Sequence, residues 1–257
     1  MTRSVARTSA SETLIYAILL LGLLLLSGCA TNQSENGANS LAEYDPWEPL
    51  NRNLYDLNIA IDRVSTKPLA KGYRKIMPAV ARRGITNIFD NLTTPRSALN
   101  NFLQGKPARG FSEIGRFIFN STLGIAGLVD VAELGGMARY DEDFAQTFAV
   151  WGIPEGPFVV LPILGPHSLL DAVSLPFDFY SDLQPRIDNT SLRDKMYVLR
   201  IIDRRQRLLA ADIFLDESQD PYITFREAYR QNREYLIYDG DPPIEDDYYE
   251  IFDEEFE

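Results

Sequence analysis

The sequence predicts an all-α fold, and three observations predict it. Apolar residues recur at spacings of three and four through most of the interior of the chain, the period of a helix with one buried face. Runs that alternate apolar and polar, as a half-buried strand does, are few. Of 257 residues, 45% are hydrophobic and 24% charged, so a chain of this length can fold around a core and disorder throughout is excluded.

The N-terminus sets the compartment. Arg3 and Arg7 precede an apolar run over residues 14–26, and Ser27, Gly28 and Cys29 follow it. A run of this length is short for a membrane-spanning helix. A basic start, a short apolar stretch and small residues describe an export signal over residues 1–28. Leu26-Ser27-Gly28-Cys29 resembles a bacterial lipobox, in which the Cys thiol is diacylated and the peptide is cut before it. The alternative is an incidental Cys at the end of an uncleaved anchor. Two or more acyl chains give stable anchoring. Ala30 rather than Asp follows the Cys, which by resemblance to sorted lipoproteins favours the outer membrane of a Gram-negative cell. Residues 29–45 are rich in Asn, Ser, Ala, Gly and Glu and read as a tether.

Residues 46–238 read as one folded unit. Leu54, Leu57 and Ile61 mark a helix over 50–64. Val80, Ile85, Ile88, Phe89 and Leu92 mark a second over 78–92, and Thr94-Pro95 reads as the N-cap and first turn of a third that ends at Phe102. Ile114, Phe117, Ile118 and Phe119 mark a helix over 111–123. A long amphipathic helix is expected over 188–214, carrying Leu192, Met196, Leu199, Ile202, Leu209 and Ile213, and a last one over 222–237. Residues 239–257 hold ten acids and no base, so most of the net charge of −12 sits in this tail. The tail reads as a solvated, disordered end, or alternatively as a contact for a basic partner.

Two stretches differ from an ordinary soluble core. Residues 117–134 are apolar and carry several glycines. Residues 150–176 hold Trp151, Phe158, Leu161, Ile163, Leu164 and Leu169, interrupted by Pro154, Pro157, Pro162, Pro166 and Pro176. A regular helix does not run through that proline spacing, so a short hairpin or looped apolar excursion is expected. A buried core with turns and a surface facing lipid both fit these stretches.

The chemistry of an enzyme is not visible. One Cys excludes an intramolecular disulfide and a multi-thiolate metal site, and one His, His167, leaves little for a triad or a zinc centre. There is no Gly-x-Ser-x-Gly elbow, phosphate-binding loop or dinucleotide fingerprint. Asp141, Glu142 and Asp143 read as a charge cluster at a helix start rather than a calcium loop or an acid–base pair. The acidic balance argues against a nucleic-acid surface, and no cofactor or metal is expected.

The motifs together resemble the MlaA/VacJ outer-membrane lipoproteins over nearly all of residues 45–240. Asp45-Pro46-Trp47-Glu48-Pro49-Leu50-Asn51-Arg52 resembles the opening signature of that family. Asn87-Ile88-Phe89-Asp90-Asn91-Leu92, Pro95 and Asn100-Asn101-Phe102-Leu103-Gln104-Gly105 resemble the next block. Arg116-Phe117, Asn120-Ser121-Thr122-Leu123-Gly124 and Gly127-Leu128-Val129-Asp130 follow in order, then Glu142-Asp143-Phe144, Gln146-Thr147 and Trp151-Gly152. Gly156-Pro157-Phe158 and Leu161-Pro162-Ile163-Leu164-Gly165-Pro166 resemble its Gly- and Pro-rich hairpin, and Asp220-Pro221-Tyr222 with Arg226-Glu227-Ala228-Tyr229 its closing helix. The chain departs from the family pattern at Ala145 and Ala149, where Gly is usual, and at Leu170-Asp171, where an Arg-Asp pair is usual.

The resemblance implies a ring-like, membrane-embedded helical lipoprotein beside a trimeric outer-membrane porin. It implies an amphipathic channel through which phospholipids misplaced in the outer leaflet pass to a soluble periplasmic phospholipid carrier. On that reading the hairpin residues Gly152, Gly156, Pro157, Phe158, Leu161, Pro162 and Gly165 border the channel, and Gly152 and Gly156 are its hinges. The competing readings are a lipoprotein that only organises porins and, more remotely, a phospholipid hydrolase.

Overall fold

A computed structural model describes residues 44–243, and the lipobox with Cys29, most of the tether and residues 244–257 of the tail lie outside the described residues. Helix α1 (Glu48–Val64) begins with Pro49 in its first turn and turns at Ser65 into α2 (Thr66–Ile76). Helix α3 (Ala79–Leu103) pairs with α4 (Pro107–Thr122), and short α5 (Val131–Leu134) and α6 (Phe144–Val150) lie against them. A hairpin of β1 (Phe158–Leu161) and β2 (Gly165–Ser168) follows. Then come α7 (Leu169–Ser181), a 3₁₀ turn over Gln184–Arg186, α8 (Thr190–Leu208), α9 (Asp212–Glu217) and α10 (Pro221–Ile237). The fold is predominantly helical, as the periodicity predicts. No helix among the described residues is long and apolar enough to cross a membrane.

Several elements differ from the sequence expectation. No new helix begins at Pro95, which lies inside a continuous α3. Its ring removes one helical donor. Nearby carbonyls find other partners: the Thr93 and Thr94 hydroxyls donate to the Asp90 carbonyl at 2.8 and 3.0 Å, and the Leu183 N–H reaches the Leu92 carbonyl at 3.4 Å. Helix α2 is an element the sequence reading passes over. The long helix expected over 188–214 breaks after Leu208. The break carries Asp212 back to Arg205 at 2.9 Å and onto Lys67 at 2.8 Å, tying α9 to α2 and α8. Pro176 lies inside α7 rather than ending it.

The hairpin is the structured part of the proline-rich stretch. β1 and β2 are antiparallel, with Phe158 opposite Ser168, Val160 opposite Pro166 and Leu161 opposite Gly165. The Val160 N–H turns away from β2, so the missing donor of Pro166 breaks no ladder bond. Phe158 and Val160 point into the apolar core with Tyr55 and Tyr222, and Leu54, Ile59, Phe225 and Tyr229 pack around them.

The larger correction concerns which faces are buried. On α4 the apolar residues Phe111, Ile114, Ile118 and Phe119 are exposed, and the face turned inward carries Glu113, Arg116 and Asn120. On α3, Val80, Leu99 and Leu103 are exposed while Asn91, Thr94, Ser97, Asn100 and Asn101 are buried. The apolar loop residues Leu123, Ile125, Leu128 and Val129 are exposed as well, as are Val150, Trp151 and Ile153, and Val173, Phe177 and Phe179 of α7. The polarity of this half is inverted relative to a soluble protein, in which large apolar groups fill the core.

Candidate functional site: a buried polar interior and a clamped hairpin

Two buried polar clusters organise the site. The first joins α3, α4, α5 and α6. Arg116, 4% exposed, donates to Asp130 at 2.6 Å and to the carbonyl of Met137. Asp130 caps α5 through the Glu133 N–H at 3.0 Å and accepts from Asn120 at 2.9 Å. Asn120 in turn accepts the Ala132 N–H at 3.0 Å, and Asn91 donates to the Ser121 hydroxyl at 2.9 Å. Gly124 closes the same corner. A Cβ there would stand 2.1 Å from the Val129 carbonyl and 2.5 Å from that of Asn120, so only glycine fits. These bonds fix the loop that carries Leu123, Ile125 and Leu128 outward.

Further along the α3–α4 pair, Thr147 donates to Asn100 at 2.7 Å, and Gln104 donates to Glu142 at 2.8 Å and to Thr147 at 3.1 Å. Glu142 also faces Lys106 at 3.4 Å, and Lys106 pairs with Asp239 at 2.7 Å. Asp239, the first acid of the tail, is thus held against the start of α4, with Arg109 its second partner at 2.5 Å. The acidic triplet is divided. Asp141 pairs with Arg139 and Glu142 enters the interior, while Asp143 caps α6 through the Gln146 N–H at 2.7 Å. No group of three or more His, Cys, Asp or Glu placed to hold a metal ion occurs among the described residues.

Glu113 is 1% exposed and accepts the Tyr140 N–H at 2.7 Å. Burial pushes its carboxyl from 4.5 up to about 7, against the pull of that N–H and of Arg116. The folded chain therefore binds more protons at Glu113 than the unfolded chain does between about pH 4.5 and 7. Its contribution to stability falls as pH climbs through that window. Asp178, raised mainly by burial to about 6, acts in the same direction. Denaturation in nonionic detergent is expected to show stability declining from pH 5 to 7.5, and Glu113→Gln is expected to flatten the decline by on the order of 2 kcal/mol. An unchanged slope in the variant would mean that Glu113 is ionised throughout.

The second cluster joins α1, the hairpin and α10. Asn51, 2% exposed, donates to Asp45 at 2.8 Å and to the Phe158 carbonyl at 3.0 Å, and its Oδ1 accepts the Val160 N–H at 2.9 Å. One helical heptad on, Asn58 repeats the arrangement, donating to the Leu161 carbonyl at 2.9 Å and accepting the Ile163 N–H at 2.6 Å. Two asparagines on one face of α1 thus replace the strand that the free edge of β1 lacks. Asp45 also accepts from Tyr222 at 2.5 Å and Arg226 at 3.2 Å. Arg52 grips Asp220 through two bonds of 2.8 and 3.1 Å and Glu48 at 2.7 Å, while Asp220 caps α10 and Pro221 fills its first turn. Of the opening signature, Pro46 and Trp47 are exposed.

The hairpin base is held from the other side. Tyr229 accepts the Ser168 N–H at 2.5 Å and donates to Asp171 at 2.9 Å. Arg233 grips Asp143 through two bonds of 2.7 and 2.9 Å and faces Glu155 and Asp171, each at 3.7 Å. Burial works to raise Asp143, but the Arg233 guanidinium and the Gln146 N–H hold it at about 2. His167 lies in β2 with Nδ1 3.2 Å from the Gly165 carbonyl, and the Ser168 hydroxyl caps α7. The tip differs from this fixed base: Ile163 and Leu164 are 76% and 61% exposed. Gly152, Gly156 and Gly165 have φ of 89, 71 and 92°, and Ile163, which is β-branched, also has a positive φ of 69°. That backbone costs about 1–2 kcal/mol for such a residue, and the bond its N–H donates to Asn58 holds it.

The structure thus divides the signature residues between the two clusters. Asn91, Arg116, Asn120, Gly124 and Asp130 meet in the first. Asp45, Asn51, Arg52, Asp220 and Tyr222 meet in the second, under Phe158 and Leu161. Sequence reasoning missed Glu113, Asn58 and Arg233 as members, whereas Asp143, read as part of a charge cluster at a helix start, is the cap of α6. The available signal was the seven-residue spacing of Asn51 and Asn58.

Among the described residues, a predominantly helical fold that turns large apolar side chains outward over a hydrogen-bonded polar interior defines a protein whose surface is suited to an apolar neighbour. The chain belongs to the MlaA lipoprotein family, whose model matches residues 43–236. It is 34% identical over 228 residues to the intermembrane phospholipid transport system lipoprotein MlaA of Escherichia coli strain K12, covering 87% of this chain and 88% of that one. It is 33% identical over 237 residues to the protein of the same name from Haemophilus influenzae, covering 90% and 92%. A solved chain from work on the structural basis for maintenance of bacterial outer membrane lipid asymmetry superposes with a TM-score of 0.67 at 34% identity. It covers 75% of this chain and 98% of that one.

Proposed function

We propose that this protein takes part in intermembrane phospholipid transport, removing phospholipid from the outer leaflet of a Gram-negative outer membrane. It is anchored there by acylated Cys29 through the tether over residues 29–45. The inverted polarity of the α3–α4–α7 half carries this reading. Phe111, Ile118, Leu123 and Phe177 meet acyl chains, while Asn91, Asn100, Glu113 and Arg116 stay inside. The names borne by the relatives support the substrate class.

A phospholipid needs a route with one wet wall for its headgroup and one apolar wall for its chains. A ring of such helices, closed on one side by the hairpin, supplies both walls. The lipid then leaves to a soluble periplasmic carrier, and a trimeric porin holds the ring in the membrane. Gating is assigned to the hairpin tip around Pro162, Ile163 and Leu164, between Leu161 and Gly165, with Gly152, Gly156 and Pro157 setting its base. Release of the Asn58 bonds to Leu161 and Ile163 frees the tip, while the Asn51 clamp on Phe158 and Val160 stays closed.

The test is a disulfide between α1 and the tip, made by Asn58→Cys with Ile163→Cys. Under oxidising conditions the pair is expected to abolish clearance of phospholipid from the cell surface, and reductant is expected to restore it. Full clearance by the oxidised protein would refute gating by the hairpin.

A further inference from the structure

A cleft of about 310 Å³ lies away from the hairpin, between the start of α3 and the end of α8. Arg82, Arg83 and Arg207 line it together with Thr86, Asn87 and Gln206. Its charge is poorly balanced. Arg82 donates to Gln206 at 2.9 Å, and its Nε is buried with no hydrogen-bond partner. Arg83 is exposed and makes no ion pair among the described residues. The neighbouring carboxylate of Asp203 is shared among Thr86 at 2.9 Å, Tyr73 at 3.4 Å and Arg207 at 3.6 Å.

The surroundings extend this charge. Helix α2, packed on α8, contributes exposed Lys71, Arg74 and Lys75 and contains no acid. Ile76 and Val80, each 80% exposed, flank the cleft where α2 turns into α3. Guanidinium forks match the oxygens of a phosphate diester, and exposed aliphatic side chains beside them match the acyl region just below a headgroup. A basic cluster next to a membrane attracts anionic lipid in particular.

We propose that this α2–α3–α8 corner is a binding site for the headgroup of an anionic phospholipid, separate from the hairpin route, which seats this edge of the protein on the membrane surface. The proposal rests on the membrane-embedded reading above.

The test uses the full-length lipoprotein in nonionic detergent, titrated calorimetrically with monomeric dihexanoylphosphatidylglycerol. Dihexanoylphosphatidylcholine and inorganic phosphate are titrated in parallel. Phosphatidylglycerol is expected to bind at least tenfold more tightly than either. Arg83→Gln with Arg207→Gln is expected to weaken it at least tenfold, and Arg83→Gln alone, at an exposed position that preserves folding, by a smaller factor. Equal affinity in wild type and the double variant would overturn the site, and phosphate binding as tightly as phosphatidylglycerol would show an anion site without a lipid role. Unchanged lipid binding in the double variant while the hairpin lock still blocks clearance removes the seat alone. Lost binding with a lock that has no effect on clearance removes the gated route alone.

Discussion

Replacing Asn51 with alanine is expected to destabilise the fold by about 3–5 kcal/mol and to abolish function. The side chain is buried and fully used: it bonds Asp45, the Phe158 carbonyl and the Val160 N–H. Alanine leaves a buried carbonyl and a buried N–H without partners, at about 1–3 kcal/mol each. It also strips one donor from Asp45, which then depends on Tyr222 and Arg226. For a chain of this size the loss is roughly 10 °C in Tm. Asn51→Asp is expected to be at least as damaging at neutral pH, because it loses the donor and sets a second carboxylate against Asp45. Asn53, two residues on and exposed, bonds only the Pro49 carbonyl, so Asn53→Ala is expected to stay within about 0.5 kcal/mol. Thermal denaturation of the three variants in detergent checks the series, and a loss below 1 kcal/mol for Asn51→Ala would show that the hairpin does not depend on its clamp.

The second large effect is expected at Arg116. Its guanidinium sits between Asp130, the Met137 carbonyl and Glu113, with 5% of the side chain exposed. Arg116→Met keeps the length and removes the charge, leaving the half-buried Asp130 without its ion-pair partner and with only the Asn120 amide and the Glu133 N–H as donors. Breaking a buried pair by deleting one partner costs about 3–5 kcal/mol, and the partial exposure of Asp130 places this loss at or below the lower end of that range. The consequence is local first: residues 123–139 lose the bonds that hold Asp130 and Met137 against α4. Limited proteolysis is expected to cut this loop in the variant and not in the wild type. Arg116→Lys is expected to rescue only part of the effect, because an ammonium cannot span both oxygens as the guanidinium does. Equal protease resistance in Arg116→Met and wild type would contradict this role.

The sequence made the helices legible but not their orientation. Helix α10 and most of α1 follow from periodicity, and the run of prolines between Pro154 and Pro166 correctly forbids a helix there. The inward faces of α3 and α4 escaped because periodicity assigns the inside to apolar residues. Ile114, Ile118 and Phe119 carry the helical spacing, yet the equally periodic Glu113, Arg116 and Asn120 are the ones buried. The two patterns have the same period and opposite phase, so periodicity alone cannot choose between them. The solvent decides, and for a protein among lipids the choice reverses. Pro95 was misread because its ring is tolerated only through tertiary partners, Leu183 among them, that lie far off in sequence. The two halves of the site were legible as motifs, but their separation into two clusters needed the fold. Ala145, where the family pattern has Gly, is buried at 1% exposure, so its methyl group is accommodated.

The central claim is that an acyl-anchored, lipid-embedded protein removes phospholipid from the outer leaflet. Its most direct test is the amount of surface-exposed phospholipid in a strain lacking this chain, complemented with wild type or with Cys29→Ala. Phospholipid is expected to accumulate on the surface of the deletion strain and to return to the parental level with wild type but not with Cys29→Ala. A deletion strain with parental surface phospholipid, and with no second copy of the activity, would contradict the claim and leave a lipoprotein that organises porins.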